Sequence, residues 1–296
     1  MFDSHNGARL TIVQTGMDPR WEIRLRPSPK MVRVIRHTVR VNGITLAYED
    51  FGGVGRPLVA LHGSFGRGAI FARLAADLAG RVRVVAPDLR GHGHTGRAPS
   101  YTDTDFVADI AELLTALDLG PVALLGHSRG GIAAYQVAAA HPHLVSALII
   151  EDVGPIMRTP EIATPILDVR GWPDRAPTKA ALAEAIRAEG IPDPTYFMQS
   201  AIETDGHWRF LFDWADMMAV QTGGLGDWWP TWLASTCPAL VLRAEHSSLL
   251  PATLAAEMVA RRPDTDLVEI PNAGHWIHDD APAAFAAAIA AFLYRP

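Results

Sequence analysis

The chain has 296 residues, a length that suits one α/β core enlarged by an insertion. Hydrophobic residues make up 49% of it and charged residues 20%, a balance that excludes a largely disordered protein. The formal net charge is −6, and the 26 basic side chains form no long run, which excludes a surface built for nucleic acid.

The N-terminal residues and the single cysteine are informative about the cellular compartment of the protein. The segment Met1 to Asn6 lacks the basic and then apolar order of a signal peptide, and no apolar stretch reaches membrane-spanning length. We therefore expect a cytoplasmic protein that binds no membrane. Residues 1–30 have no clear period and form a predicted N-terminal extension. Cys237 cannot form an internal disulfide, and its place beside an apolar run predicts a buried, inert thiol.

Short apolar runs alternate with helical periods over the first half of the chain. The later runs are continuously apolar, as strands buried on both faces must be. This alternation predicts an α/β fold with a mostly parallel central sheet flanked by helices. The predicted strands are 39–41, 44–48, 58–61, 82–86, 122–125 and 148–150, and the predicted helices between them are 71–78, 106–117 and 132–140.

The pattern changes after Pro155. Strands are expected to stop there, because residues 156–235 have a helical pattern broken by prolines, which predicts an inserted helical cap. Strand patterns resume at 239–242 and 266–270, and a helix is expected from Pro282 to about residue 293. The predicted organisation is an N-terminal extension at 1–30, a core at 31–155 and 236–296, and a helical cap at 156–235.

One glycine-rich turn connects a predicted buried strand to a predicted helix. It reads Gly126-His127-Ser128-Arg129-Gly130-Gly131, the strand, sharp turn and helix of a nucleophile elbow. Glycines are needed because side chains there would collide with the neighbouring strand and helix. Ser128 projects its hydroxyl at the N-terminus of the helix. The turn therefore predicts Ser128 as a nucleophile.

A serine nucleophile needs a general base, and the base needs a group that orients it. In enzymes with this elbow the histidine comes last in the chain. His275 lies between the last predicted strand and the last predicted helix, and Gly274 allows the backbone to bend there. His275 is therefore the predicted base, in preference to the nearby His278.

From about Val32 to its end, the chain resembles the α/β-hydrolase fold enzymes. The resemblance implies that the backbone N–H groups of Ser64 and Arg129 form an oxyanion hole, with Phe65 as the alternative to Ser64. The motifs that carry it are Leu61-His62-Gly63-Ser64-Phe65-Gly66, Asp88-Leu89-Arg90-Gly91-His92-Gly93, Gly126 to Gly131, and Gly274-His275 followed by Asp280 and Pro282.

The third member of the triad departs from the commonest family pattern. That pattern places an aspartate in the loop after the strand at 239–242, where this chain has Ser247 and Ser248. Either Glu245 in the same loop replaces it, or the acid is Asp152 at the end of the preceding core strand. We favour Asp152, although a purely structural carboxylate and Glu245 both stay open as alternatives.

The other histidine motifs and the cap complete the predicted site. His62 and the histidines near Arg90 are expected to brace loops in this family, and no ligand spacing or H-E-x-x-H pattern predicts a metal. A cap over the elbow would form the roof of the substrate pocket and give it an apolar wall. The predicted pocket residues are Phe65, Trp208, Trp214 and Trp276.

The resemblance and these residues predict a serine hydrolase without a cofactor. It would cleave a small or medium, largely apolar ester or lactone through an acyl-enzyme, with a small molecule as its only expected partner. The same triad would also suit carbon–carbon bond hydrolysis, amide cleavage or perhydrolysis, and a receptor-like binder with slow or no turnover is the alternative of another class. A homo-oligomer is compatible with the sequence.

Overall fold

The computed structural model describes residues 35–295. Within them the chain forms strands and α-helices that are numbered here in chain order. The strands are β1 (Ile35–Val41), β2 (Ile44–Asp50), β3 (Arg56–Leu61), β4 (Val82–Pro87), β5 (Val122–His127), β6 (Val145–Glu151), β7 (Ile156–Met157), β8 (Arg175–Ala176), β9 (Ala201–Thr204), β10 (His207–Phe210), β11 (Gly226–Asp227), β12 (Ala239–Ala244) and β13 (Thr265–Ile270). The α-helices are α1 (Ala72–Asp77), α2 (Asp103–Leu117), α3 (Arg129–Ala140), α4 (Lys179–Ala188), α5 (Thr195–Met198), α6 (Trp214–Gly223), α7 (Trp229–Ala234), α8 (Ala252–Arg261), α9 (Ile277–Asp280) and α10 (Pro282–Leu293).

Eight strands form the central sheet, in the order β1-β2-β4-β3-β5-β6-β12-β13. The pairs β1–β2 and β2–β4 are antiparallel, and every later pair in this order is parallel. The predicted α/β class with a mostly parallel sheet is therefore confirmed. Each strand and helix predicted for the core overlaps an observed one, and the helix predicted over 71–78 begins as a 3-10 helix at Gly68–Phe71 before α1.

The middle strands are apolar because helices cover both faces of the sheet. All six residues of β5 and all six of β12 are buried. Parallel strands buried in this way bring their carboxyl ends to one edge of the sheet, where the following loops meet. The loops after β3, β5, β6, β12 and β13 therefore converge, although they are far apart in sequence.

The segment between β6 and β12 is not purely helical. The prediction that strands stop after Pro155 is wrong, because β8, β10 and β9 form a three-stranded sheet and β11 pairs with β7. These strands have two to four residues each, too few to give an alternating hydrophobic pattern. The missed signal is Asp205-Gly206 between β9 and β10, where both residues have positive φ, as a tight hairpin turn requires.

Two further predictions concern the chain outside the core. The predicted N-terminal extension at 1–30 and the first residues of the predicted core, 31–34, lie outside the described residues. Between residues 35 and 295, no helix has both the length and the apolar character needed to cross a membrane.

Two buried histidines brace the loops after β3 and β4. His62 donates from Nδ1 to the Gly63 carbonyl oxygen at 2.7 Å and accepts at Nε2 from the Leu89 N–H at 2.9 Å. Burial lowers the pKa of His62 to about 4. His92 donates from Nδ1 to the Arg90 carbonyl oxygen at 2.9 Å, and burial holds its pKa well below the ordinary value. Both side chains are therefore neutral, and each braces a loop, as the resemblance to the family implied.

Acid is expected to destabilise the protein through these histidines. Below pH 6.5 an unfolded histidine binds a proton, whereas folded His62 does so only near its pKa of about 4. Between pH 6.5 and the His62 pKa of about 4, the unfolded state therefore binds more protons than the folded state. The free energy of unfolding falls as the pH falls through this range, by up to about 1.4 kcal/mol per pH unit for each such histidine. His92 and His127, with lowered pKa values, add to the effect, and His278, with a raised pKa, opposes it.

Urea unfolding at about pH 7 and about pH 5 measures this effect. We expect a lower free energy of unfolding at the acidic pH. His92→Asn keeps an N–H donor near the Arg90 carbonyl but cannot titrate, so its difference between the two pH values should be smaller than that of the wild type. Equal differences in the two proteins would contradict the prediction.

Candidate active site

Ser128 occupies the sharp turn between β5 and α3. Its backbone has φ 52° and ψ −121°, a conformation that side chains rarely adopt. A Cβ at Gly126 would collide with the carbonyl of Gly130, and a Cβ at Gly130 would lie 2.5 Å from the carbonyl oxygens of Leu61 and His62. The two glycines therefore allow the turn to close, which leaves Ser128 at the N-terminus of α3.

Asp152 follows β6 directly and is fully buried, with φ 50°. Its carboxylate accepts three hydrogen bonds. The Ala244 N–H at the end of β12 donates to Oδ1 at 2.8 Å, and the Ser247 hydroxyl donates to Oδ2 at 2.7 Å. The third donor is Nδ1 of His275, 2.9 Å from Oδ2. The buried carboxylate is thus held by groups that follow two different strands, β12 and β13. One of these groups is the imidazole of His275, the predicted base.

The other candidate acid, Glu245, is placed elsewhere. It is exposed, and its carboxylate accepts a hydrogen bond from the Asn272 N–H at 2.7 Å. Asn272 has φ 57°, so Glu245 stabilises a tight turn in the loop that carries His275. Of the two acids that the sequence left open, the structure brings Asp152 to the imidazole and gives Glu245 a structural contact.

His275 lies in the loop between β13 and α9. The Gly274 N–H donates to Asp280 Oδ2 at 2.7 Å, which folds the loop back on the first turn after it. Because Nδ1 of His275 donates to a carboxylate, Nε2 is the ring nitrogen left to accept a proton. Both His275 and Ser128 line one cavity of about 230 Å³.

The two predicted oxyanion donors also border this cavity. Ser64 lies in the loop after β3, and Arg129 is the first residue of α3, so its backbone N–H has no partner within the helix. Phe65, next to Ser64, has φ 69°, which is unusual for an aromatic residue and turns the loop sharply. The Ser200 hydroxyl donates to the Phe65 carbonyl at 2.7 Å and holds this conformation.

Of the four aromatic residues predicted for the pocket, Phe65 and Trp276 line the cavity. Trp208 and Trp214 are absent from the described residues that line it, so the prediction is wrong for them. Trp208 is half-buried on β10 beneath the Lys179 ammonium, and Trp214 packs behind Phe65 with its ring centroid 6.1 Å away. Both side chains serve the packing of the inserted segment.

The sequence missed most of the remaining lining residues. Many of them belong to the segment after β7 or to the loop after β12, where irregular backbone gives no period from which a facing side chain could be inferred. The missed residues are His127, Ile132, Met157, Thr164, Pro165, Ile166, Leu167, Ile191, Gln221, Gly224, Ser248 and Leu249.

The side chain of Arg129 is neutralised inside the protein. It is the one arginine or lysine among the described residues that line the cavity. Its guanidinium lies 2.9 Å from an Asp103 carboxylate oxygen, donates to the Val220 carbonyl at 3.2 Å and stacks 4.1 Å above the Phe106 ring. The cavity therefore offers a substrate no unpaired guanidinium or ammonium from this set of residues.

A cluster of three buried side chains, His127, Glu151 and His278, adjoins the site. One nitrogen or oxygen atom from each lies within 4.8 Å of the others, a spacing that a metal ion could use. Glu151 Oε1, however, already accepts from the Nδ1 of His278 at 2.7 Å. Burial alone would lower the pKa of His278, but the Glu151 carboxylate overrides it and the pKa is raised. These contacts are those of a buried ion pair between Glu151 and His278 rather than of three ligands around a metal ion.

Comparison with known proteins identifies the family. A model described as the alpha/beta hydrolase family matches residues 58–288. The chain belongs to the alpha/beta hydrolase family. The match spans both sides of the inserted segment and includes the loops that carry Ser64, Ser128, Asp152 and His275.

Individual relatives are hydrolases with different substrates. The chain is 30% identical over 274 residues to a 2-(acetamidomethylene)succinate hydrolase from Mesorhizobium japonicum, covering 88% of this chain and 95% of that protein. It is 28% identical over 268 residues to an sn-1-specific diacylglycerol lipase from Danio rerio, covering 84% and 83%. The crystal structure of an E-2-(acetamidomethylene)succinate hydrolase superposes with a TM-score of 0.80 at 28% identity, covering 89% of this chain and all of that one.

Proposed function

We propose that the protein is a serine hydrolase that cleaves small to medium, largely apolar esters or lactones through an acyl-enzyme. The observation that carries the proposal is the hydrogen bond from His275 Nδ1 to the buried Asp152 carboxylate, in a loop that shares its cavity with Ser128. Membership of a family whose named relatives are lipases, esterases and hydrolases supports it.

In the proposed reaction, the Ser128 hydroxyl oxygen attacks the substrate carbonyl carbon while His275 Nε2 accepts its proton. The carbonyl oxygen becomes an oxyanion, which the N–H groups of Ser64 and Arg129 would stabilise. The oxyanion then re-forms the carbonyl as the bond between its carbon and the alcohol oxygen breaks. His275 gives the proton to that oxygen, the alcohol leaves, and the acyl group stays on Ser128. A water molecule then attacks the acyl carbon while His275 accepts its proton. The bond from that carbon to the Ser128 oxygen breaks, and His275 returns the proton to this oxygen as the acid leaves.

Asp152 has an orienting role in this scheme. Its Oδ2 fixes the tautomer of His275 in which Nδ1 carries the proton and Nε2 is free. The Ala244 N–H and the Ser247 hydroxyl in turn hold the carboxylate itself. Ser247 is one of the two serines where the commonest family pattern places its aspartate, so the loop after β12 contacts the histidine through Asp152 rather than directly.

The proposed substrate class follows from the charge of the cavity. Its described lining is largely apolar, and the Arg129 guanidinium is paired with Asp103. A substrate with a free carboxylate would lose its hydration there without gaining a cation. We therefore propose an uncharged acyl chain, like the esters cleaved by a diacylglycerol lipase and unlike the dicarboxylate named in the succinate hydrolase.

Replacing the nucleophile gives the first test. Ser128→Ala should abolish labelling by a fluorophosphonate probe and lower kcat on an activated ester on the order of 10³-fold or more. Ser146→Ala, which removes a hydroxyl bonded to Arg56 at the far end of β6, serves as the matched control and should label normally. Chelators should leave the activity unchanged. Undiminished labelling of Ser128→Ala, or loss of activity in EDTA, would refute the assignment.

The choice of acid gives the second test. Asp152→Asn should keep substrate affinity but lower kcat by up to about 10⁴-fold, because the amide favours the wrong imidazole tautomer. Glu245→Gln should cost less than about tenfold, since an exposed carboxylate adds only a weak field. Thermal melts of both variants separate folding defects from catalytic ones. Near-wild-type turnover of Asp152→Asn beside a collapse in Glu245→Gln would reverse the two roles.

A matched pair of esters tests the substrate class. p-Nitrophenyl pentanoate and the p-nitrophenyl half-ester of glutaric acid have acyl chains of equal length, and only the second ends in a carboxylate. We expect kcat/KM to be at least about tenfold higher for the pentanoate, because an unpaired charge in the cavity costs more than about 1.4 kcal/mol. Equal values, or a preference for the half-ester, would contradict the proposed class.

The alternative functions that the sequence left open can be distinguished from ester hydrolysis by kinetic assays. A receptor-like binder would give no acyl-enzyme burst with an activated ester. Carbon–carbon, amide and peroxide chemistry would use the same residues, so a substrate panel distinguishes them. The cytoplasmic location and the oligomeric state remain predictions.

A further inference from the structure

The cluster of His127, Glu151 and His278 touches all three segments that carry the proposed catalytic residues. His127 immediately precedes Ser128, and Glu151 immediately precedes Asp152. His278 follows three residues after the proposed base and begins the short helix α9 together with Ile277. All three side chains are buried, with at most 5% of each residue exposed. None of them has a role in the proton transfers proposed above.

His127 connects the nucleophile's segment to the backbone of the base. Its Nε2 lies 3.0 Å from the carbonyl oxygen of His275. A carbonyl oxygen can only accept, so Nε2 carries the proton. Burial holds the pKa of His127 well below its ordinary value, which keeps this ring neutral. The rings of His127 and His275 also lie 4.6 Å apart between centroids. A shift of His127 would therefore move His275 relative to Ser128.

Glu151 makes the second connection. Its side-chain Oε1 accepts from both the backbone N–H of His278 at 3.0 Å and the ring Nδ1 at 2.7 Å. Its own backbone carbonyl accepts from the N–H of Ser128 at 3.0 Å. One residue at the end of β6 thus holds the turn of the nucleophile on one side and the start of α9 on the other.

Packing alone does not account for these polar groups. Elsewhere the buried positions of β5 and β6 are valine, leucine, isoleucine and alanine, apart from Gly126 in the elbow. A buried carboxylate paired with an imidazolium is often no more stable than apolar side chains of similar volume. The directional hydrogen bonds are what apolar residues could not supply, and they fix where the loop with His275 lies.

We propose that His127 and Glu151 are positioning residues that set the distance between His275 and Ser128 through the His275 carbonyl and the start of α9. The predicted loss of kcat in the variants rests on the proposed function. The predicted displacement of the His275 carbonyl does not. Misplacing a reacting group by about 1 Å can cost about 10²-fold in rate.

A pair of substitutions at His127 separates positioning from packing. His127→Leu removes the donor, and His127→Gln keeps an N–H at a position similar to that of Nε2. His92→Leu is the matched control, because His92 is another buried histidine whose ring donates to a backbone carbonyl, that of Arg90. We expect His127→Leu to lower kcat at least about tenfold with less than about threefold change in KM, and His127→Gln to recover most of the loss.

The control variant His92→Leu shows whether a loss of kcat comes from lost positioning or from lost stability. His92→Leu should lower the melting temperature about as much as His127→Leu but leave kcat near the wild-type value. If His127→Leu loses no more kcat than His92→Leu, or if His127→Gln recovers nothing, the inference is overturned. Should His127→Leu not fold, Glu151→Gln gives the same test, because it keeps an acceptor for the His278 N–H but removes the charge that holds the ring.

Crystal structures of the variants keep the inference separate from the proposed function. In His127→Leu the carbonyl of His275 should be displaced from its wild-type position, and in His127→Gln it should return. An undisplaced carbonyl in His127→Leu overturns the inference even if Ser128 labels normally. A displaced carbonyl in a protein whose wild type never reacts with fluorophosphonate would support the positioning role and reject the proposed function.

Discussion

A carboxylate buried in an apolar sheet must be surrounded by hydrogen-bond donors, and Asp152 obtains its donors from separate parts of the chain. Ala244 and Ser247 follow β12, and His275 follows β13. Losing any one donor would leave part of the buried charge unsatisfied. The position of His275 is therefore tied to the stability of the sheet edge, and the arrangement that suits catalysis is also the one that satisfies the fold.

The parallel sheet makes this arrangement available. Because β5, β6, β12 and β13 run in one direction, the loops after them meet at one edge. Ser128 and Asp152 both stand directly after a strand with positive φ, at 52° and 50°, so each side chain leaves its strand abruptly. Backbone strain of this kind persists only where the surrounding contacts enforce it. Tight glycine packing enforces it at Ser128, and hydrogen bonds do so at Asp152.

The sequence was sufficient where local chemistry decides the structure. Continuous apolar runs located the core strands, and the spacing of glycines around Ser128 located the elbow. It left the acid open, because the contact that decides it joins Asp152 to His275 across 123 positions of the chain. The hairpin at Asp205-Gly206 was missed since its strands are too short for a period.

The pocket was the least predictable part. Apolar side chains are needed both to pack the inserted segment and to line the cavity, and composition does not separate these uses. Trp214 packs behind Phe65, whereas Met157 at the end of β7 and Leu167 in irregular backbone reach the cavity. The ion pair of Glu151 with His278 was likewise not predictable, because it joins residues 127 positions apart and no local pattern indicates their contact.

The central claim is that Asp152 holds the Nδ1 proton of His275, and proton NMR in water tests it most directly. A proton shared between an imidazole and a buried carboxylate exchanges slowly and resonates far downfield of ordinary amides. His278 and the buried Glu151 share a second such proton, so the account predicts two resonances in the wild type and in Glu245→Gln. One of the two should be lost in both His275→Gln and Asp152→Asn, while the His278 resonance stays. If the resonance that disappears in His275→Gln survives in Asp152→Asn but disappears in Glu245→Gln, the account is contradicted.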